Sequence, residues 1–528
     1  MAVLNKFNKV FFMAHIRRFN LLGQICSAEK KGVSMRSLFI TTSTLPATHG
    51  GRTASLLHRA RLLSDDLKQS LSILTTNYNN RYDAVIKKFR DIGKFNAYMQ
   101  HINIYDDLMG CKKASKKKNY RTILKSIGID WPIDPHLYHQ LQSVSVAKQK
   151  NNQNKIQFLE FMFLEGVSVK FSLDTDENVH MIRYSITHSD GVVELLFDEF
   201  YDRDGHKYIQ KQYSFVNGQS KFANLLYVDG FYQETKQFKS ESAFFGYWYQ
   251  KIIPENSTVI NDARLLDRAL VLLDTANVRK IFQLHSSHLS NPSDSHSETR
   301  GSFKYLLSHL DRVGAVVTLT NRQKQNILEK VDKVYSDKFR VIPHAVKSLP
   351  VLDLNRARAN VVFVGRLAPE KRVSHIILAF QKILEEVPDA QLHIYGDGAD
   401  QDNLETMVLG DLANRVIFHG HIDDVDSVFQ SAKCSVLTSE FEGFPLSVQE
   451  SLANGCPVVS YDIDYGPSDM ILDGVNGFLV PFDDVEQLSV RIKQIITDEI
   501  VFEPQAVQSS VSKFKQDIFI QRWRELCV

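Results

Sequence analysis

Short apolar segments alternate with helical segments at the start of the chain. The pattern predicts a strand at Leu38–Ser43, a glycine-containing loop at Pro46–Arg52, and a helix at Thr53–Leu63 with apolar residues at helical spacing. A second strand is predicted at Leu71–Thr76. A parallel strand that leads into a helix on its face is how an α/β domain begins.

The hydrophobic pattern changes between about residues 84 and 232, where apolar and polar positions alternate along short runs. Turn sequences such as Ser-Asp-Gly and Asp-Arg-Asp-Gly separate these runs and are typical of hairpins. The predicted strands are Val167–Leu173, His180–His188, Val192–Phe200 and Tyr208–Val216. We interpret the stretch from about 84 to 232 as an antiparallel β insertion in the first domain.

Strand and helix alternation then returns and continues through a second block. The first block ends with predicted strands at Thr258–Asn261, Lys280–Leu284 and Ala315–Thr320, and Asn321 is predicted to cap the next helix. The second block has predicted strands at Val361–Val364, Gln391–Tyr395, Val416–His419, Ser435–Thr438, Pro457–Tyr461 and Phe478–Val480. This pattern predicts a doubly wound parallel sheet, which binds ligands beyond the carboxyl ends of its strands.

These patterns divide the chain into four parts. We predict one Rossmann-like domain over residues 35–340, a second over 341–505, and a C-terminal helix within 506–528 that packs back on the first domain. A strand begins abruptly after Met35, and Lys30–Ser34 could be encoded by a purine-rich ribosome-binding site. We therefore expect residues 1–34 to be a non-native or disordered extension; the competing interpretation is a basic helix that touches a membrane.

Composition excludes several functional classes. The 63 Lys and Arg residues nearly balance the 61 Asp and Glu residues, so no global charge attracts nucleic acid. The five cysteines are scattered, which argues against a disulfide framework or zinc site and for a reducing compartment. No apolar run approaches the roughly 18 residues of a membrane span. A basic run at Lys112–Lys118 could contact an anionic polymer or be a solvated loop.

The first chemical motif follows the first strand of the second block, at Gly365–Lys371. Gly365 allows a tight turn at the sheet edge. Arg366 and Lys371 are five residues apart and can reach one diphosphate from either side. The alternative interpretation is that both cations are simply solvated.

Two further motifs follow later strands of the same block. Gly396 and Gly398 form a turn that can admit a flat base close to the backbone. Pro445 suits the first turn of a helix, so the free N–H groups of Leu446 and Ser447 are predicted to form an anion site.

Two carboxylates flank this predicted anion site. Glu442 precedes the helix and Glu450 lies more than one turn inside it. An acid beside a diphosphate repels it unless the acid accepts hydrogen bonds from sugar hydroxyls. The pair therefore favours a nucleotide sugar over a nucleoside triphosphate, although an ordinary amphipathic helix start accounts for either Glu singly.

Taken together, Gly-Arg-Leu…Glu-Lys, Tyr-Gly-Asp-Gly, Glu-Gly-Phe-Pro-Leu-Ser-Val-Gln-Glu and Asn-Gly-Cys-Pro-Val-Val resemble glycosyltransferase family 4 over most of Asn360–Asp484. His-Gly-Gly-Arg-Thr at residues 49–53, the insertion, and Asp464–Met470 resemble the wall-teichoic-acid α-glycosyltransferases. The resemblance implies the GT-B fold, in which two Rossmann-like doubly wound domains face a cleft. It places the acceptor on residues 35–340 and the donor on residues 341–505.

The resemblance also implies residue roles. Arg366 and Lys371 would bind the donor diphosphate and support the departing UDP, and Glu442 would contact the transferred sugar. His285, or His288 in its place, would lie near that sugar. The remaining implied donor contacts are Gly50, Gly51, Gly365, Gly396, Gly398, Phe444, Pro445, Leu446, Ser447 and Glu450, the last one holding the ribose hydroxyls.

The implied reaction moves glucose or N-acetylglucosamine from a UDP-sugar to an anionic teichoic acid of the poly(glycerol phosphate) type. The resemblance implies front-face attack with retention of configuration, without a metal or other cofactor. It also implies a cytoplasmic enzyme, peripheral at the inner membrane face, and a trimer formed through the β insertion. Two alternatives stay open: a protein O-glycosyltransferase of Ser-rich adhesins, and a non-catalytic subunit of the same fold.

Overall fold

The computed structural model describes residues 36–48, 50–109, 120–121, 141–149, 152–174, 176–202, 204–229, 234–346, 360–422 and 424–527. The predicted extension at 1–34, His49 and the basic run Lys112–Lys118 lie outside these residues. The described chain divides into two compact units. The smaller contains Thr76–Asn80 and Ile102–Ile252, and the larger contains Arg36–Thr75, Arg81–His101 and the chain from Ile253 onward.

The strands form three sheets. In chain order they are β1 (Ser37–Thr42), β2 (Leu71–Thr75), β3 (Met99–Asn103), β4 (Leu141–Gln149), β5 (Asn152–Phe163), β6 (Val167–Leu173), β7 (Val179–Thr187), β8 (Val193–Tyr201), β9 (Lys207–Val216), β10 (Gln219–Asp229), β11 (Glu234–Phe238), β12 (Ser257–Asn261), β13 (Arg279–Gln283), β14 (Ala315–Thr318), β15 (Phe339–Val341), β16 (Asn360–Val364), β17 (Gln391–Tyr395), β18 (Val416–Gly420), β19 (Cys434–Leu437), β20 (Val458–Tyr461) and β21 (Gly477–Val480).

The helices connect or cover these strands. They are α1 (Gly51–Leu67), α2 (Tyr82–Asp91), α3 (Ile104–Met109), α4 (Glu241–Ile252), α5 (Asp267–Val271), α6 (Gly301–Leu307), α7 (Asn321–Leu328), α8 (Val373–Leu384), α9 (Gln401–Thr406), α10 (Val425–Ser431), α11 (Leu446–Ala453), α12 (Pro467–Met470), α13 (Val485–Ile496), α14 (Pro504–Ser509) and α15 (Gln516–Cys527).

The first sheet of the larger unit has the order β15-β14-β13-β12-β1-β2-β3. Strands β15 to β2 pair in parallel. The strand order reverses direction between β1 and β12, so the carboxyl ends of these two strands mark the switch point at which a doubly wound sheet binds ligands.

The second sheet of the larger unit is also parallel, with the order β18-β17-β16-β19-β20-β21. Its strands are short and apolar because both faces are covered. Helices α8 and α13 each bury one side in the same hydrophobic core. The residues that do so include Ile376 and Phe380 on α8, and Leu488 and Ile492 on α13. Its switch point lies between β16 and β19. The predicted pair of doubly wound sheets is therefore confirmed.

The smaller unit contains an eight-stranded sheet in the order β11-β10-β9-β8-β7-β6-β5-β4. Every neighbouring pair is antiparallel. Strands β6 to β9 match the predicted hairpin strands within a residue or two. Strands β4, β5, β10 and β11 were not predicted; β10, for example, carries Gln219, Ser220 and Lys221 at its start, so its apolar side chains begin late.

The observed insertion differs from the predicted stretch of about 84–232. Helix α2 and most of β3 belong to the larger unit, and the smaller unit continues to Ile252. The reason lies in α2, whose buried Tyr82, Val85, Ile86 and Phe89 complete the core around the first sheet.

The last helix, α15, packs on the first sheet rather than the second. Its Phe519, Trp523 and Leu526 belong to the same core cluster as Leu38 and Ile260. The guanidinium carbon of Arg59, on α1, lies 4.7 Å from the centroid of the Trp523 ring. The end of the chain therefore contributes to the core of the first half of this unit.

One predicted helix cap is wrong by one residue. The side chain of Thr320, not Asn321, caps α7 by accepting a hydrogen bond from the Gln323 N–H over 3.1 Å. Thr320 has the extended backbone that a cap requires, whereas Asn321 is already helical. None of the helices given above combines the length and apolar character that a membrane crossing requires.

Candidate functional site

The loops that follow β16 and β19 meet at the switch point of the second sheet. A short 3-10 turn, Pro369–Lys371, ends the first loop. The Thr438 hydroxyl oxygen lies 2.9 Å from the backbone carbonyl oxygens of both Lys371 and Arg372, which share its one proton. The Glu440 N–H also donates to the Glu370 carbonyl over 2.8 Å. The fold therefore fixes the two motif loops against each other.

Lys371 and Glu442 form the centre of this edge. Lys371 Nζ lies 2.5 Å from Glu442 Oε1, and the two side chains are 20% and 14% exposed. The Ser439 hydroxyl donates to the same carboxylate oxygen over 2.8 Å. Two residues 71 positions apart in the chain thus form one ion pair that remains accessible to a ligand.

Arg366 pairs with a different carboxylate, and Glu450 lies on α11. The Arg366 guanidinium pairs with Glu370 Oε1 over 2.6 Å, and its side chain is 66% exposed. Glu450 is half-buried in the second turn of α11. Of the four predicted charged residues, the structure pairs Lys371 with Glu442 directly. The donor roles of all four stay predictions.

The glycines of the Tyr-Gly-Asp-Gly turn have a packing role in the structure. A Cβ atom at Gly396 would lie 1.8 Å from the Gly365 carbonyl oxygen, and one at Gly398 would lie 1.8 Å from that of Leu367. The Leu367 N–H donates to the Asp397 carbonyl over 2.9 Å. These glycines let the loops after β16 and β17 touch backbone to backbone, which shapes the floor beneath the predicted base site.

Helix α11 begins one residue later than predicted. Pro445 is its N-cap, with an extended ψ of 109°, and Leu446 is the first helical residue. The N–H groups of Leu446 and Ser447 therefore lie in the first turn, where the helix supplies no acceptor for them. Phe444, just before this turn, is buried, with its ring 5.8 Å from that of His344. The anion site at this helix start stays a prediction.

The glycine loop of the first sheet faces that helix start. Helix α1 begins at Gly51 with Gly50 as its N-cap, two residues earlier than predicted. Glycine is tolerated at the cap and first helical position, so the pair does not keep the chain in a loop. A Cβ atom at Gly51 would lie 3.1 Å from Leu446 Cδ1, whereas one at Gly50 would meet no atom within 4 Å.

His285 belongs to a buried, hydrogen-bonded set of side chains at the carboxyl edge of the first sheet. Its Nε2 lies 2.6 Å from Asp262 Oδ1, and Arg59 donates from both terminal nitrogens to the two Asp262 oxygens. Burial lowers the pKa of His285 despite the nearby Asp262. Burial alone would raise the pKa of Asp262, but the neighbouring positive charge lowers it to about 2. With His285 neutral, Arg59 is the charge that keeps Asp262 ionised.

The backbone at His285 also touches the loop that follows β19 in the second sheet. A Cβ atom at Gly443 would lie 2.2 Å from the His285 carbonyl oxygen, so the two backbones are in contact. The His285 and His344 rings stack with centroids 5.8 Å apart. The backbone of His285 therefore contacts the residue that directly follows Glu442.

His288, the alternative histidine, occupies a different place. It is fully buried, and its ring stacks on Tyr465 with centroids 6.2 Å apart. Burial lowers its pKa to about 4. Within the described part of the chain, neither ring nitrogen has a hydrogen-bond partner. His288 packs beside the loop that follows β20, whereas His285 contacts the loop that carries Glu442.

Sequence reasoning missed Asp262, Arg59 and His344. Asp262 directly follows the buried strand β12, at the position where ligands bind in such sheets, and that placement was a usable signal. Arg59 reads as an ordinary residue of an amphipathic helix. Only the fold shows that this side chain is 1% exposed and turned toward Asp262.

Comparison with known proteins agrees with this geometry. Residues 349–510, which include both motif loops and α11, match the family Glycosyl transferases group 1. This part of the chain is a glycosyltransferase group 1 domain. The predicted enzyme class is thereby confirmed.

This glycosyltransferase is similar to two curated glycosyltransferases over nearly its whole length. It is 26% identical to the poly(glycerol-phosphate) alpha-glucosyltransferase of Bacillus subtilis (strain 168), covering 95% of this chain and 76% of that protein. It is 23% identical to the poly(ribitol-phosphate) alpha-N-acetylglucosaminyltransferase of Staphylococcus aureus (strain COL), covering 93% and 99%.

Solved structures share the fold of the glycosyltransferase. Staphylococcus aureus TarM, crystallised with UDP and alpha-GlcNAc-glycerol among its ligands, has a TM-score of 0.75 at 21% identity and covers 93% of this chain and 99% of its own. The pneumococcal O-GlcNAc transferase GtfA has a TM-score of 0.65 at 17% identity and covers 93% and 98%. The predicted GT-B fold is confirmed.

Proposed function

We propose that this glycosyltransferase moves glucose or N-acetylglucosamine from a UDP-sugar to a wall teichoic acid of the poly(glycerol phosphate) type, with retention of configuration. The observation that carries the proposal is the Lys371–Glu442 pair at the switch point of the second sheet, beside the start of α11. The similarity to the Bacillus subtilis glucosyltransferase over 95% of this chain supports the choice of acceptor.

The geometry suggests how the donor binds. The diphosphate replaces Glu442 as the partner of Lys371. Its oxygens also accept hydrogen bonds from the first N–H groups of α11. Glu442 then turns to the sugar hydroxyls, which can donate to its carboxylate. Glu450, one helical turn beyond that start, is assigned to the ribose. Arg366 swings from Glu370 onto the outer phosphate.

The proposed transfer breaks the bond between the anomeric carbon and the UDP oxygen. The acceptor hydroxyl oxygen forms the new bond on the same face, and its proton passes to the departing phosphate oxygen. Lys371 and the α11 N-terminus stabilise the charge that develops on UDP. His285, held neutral by burial, faces the sugar as a hydrogen-bonding group.

Because protein cations perform this stabilisation, we propose that the enzyme needs no divalent metal. Transfer rates measured with an excess of chelator should equal the untreated rates. A loss that added Mg²⁺ or Mn²⁺ restores would contradict this.

A donor and acceptor matrix tests the function. UDP-glucose and UDP-N-acetylglucosamine are each offered with poly(glycerol phosphate), poly(ribitol phosphate) and a Ser-rich polypeptide. We expect one donor to be transferred to poly(glycerol phosphate), with Lys371→Ala as the inactive control. Transfer to the ribitol polymer alone would reassign the acceptor.

The fold similarity to GtfA favours a second candidate function, protein O-glycosylation. Transfer only to the polypeptide would establish that function in place of the first. A non-catalytic subunit is the third reading, although it would be expected to have lost part of the set Arg366, Lys371, Glu442 and Glu450, which this sequence retains. Absence of sugar transfer in every combination would favour it.

We also propose a cytoplasmic enzyme, peripheral at the inner membrane face, that forms a trimer through the antiparallel sheet. Strands β4 and β11 end that sheet, and such edges can pair with another chain. Light scattering should give three chains per particle and a smaller particle for Val146→Asp, on edge strand β4. Val193→Asp, at the start of inner strand β8, is the matched control. An unchanged particle mass for Val146→Asp would contradict pairing through β4.

Peripheral attachment is tested by washing membranes with high salt. A protein that high salt does not release from membranes would contradict peripheral attachment.

A further inference from the structure

Arginine side chains are concentrated at the carboxyl edges of the two parallel sheets. Most of them have a carboxylate partner within 4.0 Å. These pairs are Arg59–Asp262, Arg264–Asp267, Arg322–Asp464, Arg366–Glu370 and Arg372–Asp483. Each of these guanidinium groups therefore has an acidic side chain of the protein beside it.

Arg52 and Arg300 differ from this group. Among the residues that the structure describes, no carboxylate lies within 4.0 Å of either guanidinium. Arg52 is the second residue of α1 and is exposed. Arg300 precedes α6 and is half-buried. Neither cation is neutralised by the protein.

Both residues border the donor site from the first half of the larger unit. The Arg300 guanidinium carbon lies 5.5 Å from the centroid of the Phe441 ring, and Phe441 directly precedes Glu442. The Arg300 N–H donates to the His288 carbonyl over 2.8 Å, which anchors this position. Arg52 follows Gly51, the residue that faces Leu446 at the start of α11.

The charges at this edge repel one another. Arg264, whose side chain is 14% exposed, has its pKa lowered first by burial and also by the positive charge of Arg52. The charges of Arg59 and Arg264 likewise oppose protonation of His285. A bound anion would offset this repulsion, because its negative charge attracts the arginine side chains that now repel one another. The donor diphosphate is already assigned to Lys371 and α11, so this edge is suited to a second anion.

We propose that Arg52 and Arg300 bind phosphodiester oxygens of the acceptor polymer next to the reacting hydroxyl. The inference rests on the proposed function and names the residues that recognise the acceptor. Each guanidinium offers a planar fork that fits two phosphate oxygens. Phe441 supports the Arg300 fork from one face, as an aromatic ring supports a cation. An uncharged acceptor has no group for this site.

The experiment compares two acceptors in the full-length enzyme. Transfer from the preferred UDP-sugar is measured to poly(glycerol phosphate) and to glycerol, which carries the hydroxyl without phosphate. Variants are Arg52→Ala, Arg300→Ala, the double variant and Arg300→Lys. Arg312→Ala is the matched control, because Arg312 is exposed, lacks a carboxylate partner in the described chain and lies before β14 at the opposite edge of the first sheet.

The quantity of interest is the ratio of kcat/KM for the polymer to that for glycerol. We expect each single alanine variant to lower this ratio roughly 10-fold and the double variant to lower it roughly 100-fold, since a charge-assisted hydrogen bond is lost in each case. Arg300→Lys should fall between wild type and Arg300→Ala. Added salt should lower the wild-type ratio more steeply than that of the double variant.

An unchanged ratio in both single variants would overturn the inference while leaving the proposed function standing. Equal losses for polymer and glycerol would also overturn it, because they indicate a donor-site or folding role. A wild-type enzyme that hydrolyses UDP-sugar but transfers it to no phosphate polymer would instead overturn the proposed function, and this inference with it.

Discussion

The two parallel sheets carry charge at their carboxyl edges in different ways. At the first edge, the side chains of Arg59 and Asp262 are 1% and 0% exposed. At the second edge, those of Lys371 and Glu442 are 20% and 14% exposed. A fully buried pair cannot exchange its partner for a ligand without leaving an uncompensated charge. A pair at the cleft surface can. The first edge therefore holds the site in shape, and we propose that the second releases its ion pair to a substrate.

Breaking the exchangeable pair should have the largest effect on activity. We expect Lys371→Ala and Glu442→Gln each to lower kcat/KM for sugar transfer roughly 10²- to 10³-fold, because transition-state charge stabilisation is lost. Thermal unfolding should change little. Lys382→Ala is the matched control, since Lys382 pairs with Glu486 over 2.7 Å on the exposed side of α8. Near-normal turnover in Lys371→Ala would refute the assignment of the second edge.

Breaking the enclosed pair should chiefly lower stability. We expect Arg59→Met to reduce the free energy of unfolding by about 3–5 kcal/mol, because Asp262 is left buried without its cation. Asp262→Asn added to this variant removes the unpaired charge and should restore part of the loss. Chemical denaturation of the two single variants and the double variant gives the coupling. If Arg59→Met were as stable as wild type, the structural role of the first edge would be wrong.

The pH dependence of stability sharpens the same comparison. Burial raises the pKa of Asp267, near Asp262, to about 7, although Arg264 and Asn261 oppose the rise. The folded state then binds a proton that the unfolded state, with a pKa of 3.8, has lost. Stability from this group is full below about pH 4 and falls by on the order of 1 kcal/mol per pH unit up to pH 7.

Asp262 changes stability with pH in the opposite direction, because its pKa is lowered to about 2. Its contribution is present above about pH 4 and is lost as the pH falls toward 2.

Denaturant melts of Asp267→Asn between pH 4 and pH 7 should show a flatter dependence of stability on pH than wild type. An identical slope in both proteins would mean that Asp267 does not titrate in this range.

The smallest effect is expected at the exposed pair beside the donor loop. Arg366 is 66% exposed and bound to Glu370, and exposed pairs contribute about 0.2–1 kcal/mol. We expect Arg366→Ala to raise KM for the UDP-sugar only a few-fold, without changing kcat by more than about 2-fold. Initial-rate kinetics at saturating acceptor measures both. A 100-fold loss would place Arg366 with Lys371 in charge stabilisation.

The second edge was predictable because its information is local in the sequence. Strands β16, β17 and β19 are short apolar runs, and each is followed directly by its motif loop. The pairing of Arg59 with Asp262 at the first edge was not predictable, since Arg59 lies 203 residues from Asp262 and carries no motif of its own. Contacts over such separations depend on how the strands are ordered in the sheet. His285 came only from a resemblance, and its buried partner came from the fold.

The insertion and the glycine turn show a second limit. Helix α2 follows β2 in an unbroken α/β pattern, yet the turn sequences downstream drew the predicted boundary back to about residue 84. The glycines at 396 and 398 were predicted to let a flat base lie close to the backbone. In the structure these glycines also let the turn touch the Gly365–Leu367 backbone, a contact that no local pattern encodes, and the base site stays a prediction.

The position of α15 has a consequence for synthesis on the ribosome. The core of the second half draws on residues up to Phe514, whereas that of the first half also requires Phe519, Trp523 and Leu526. The half that is translated first must therefore wait, with Arg59 uncovered by Trp523, until the last helix emerges. The core of the first half is thus completed by residues that are translated after nearly all of those that form the core of the second half.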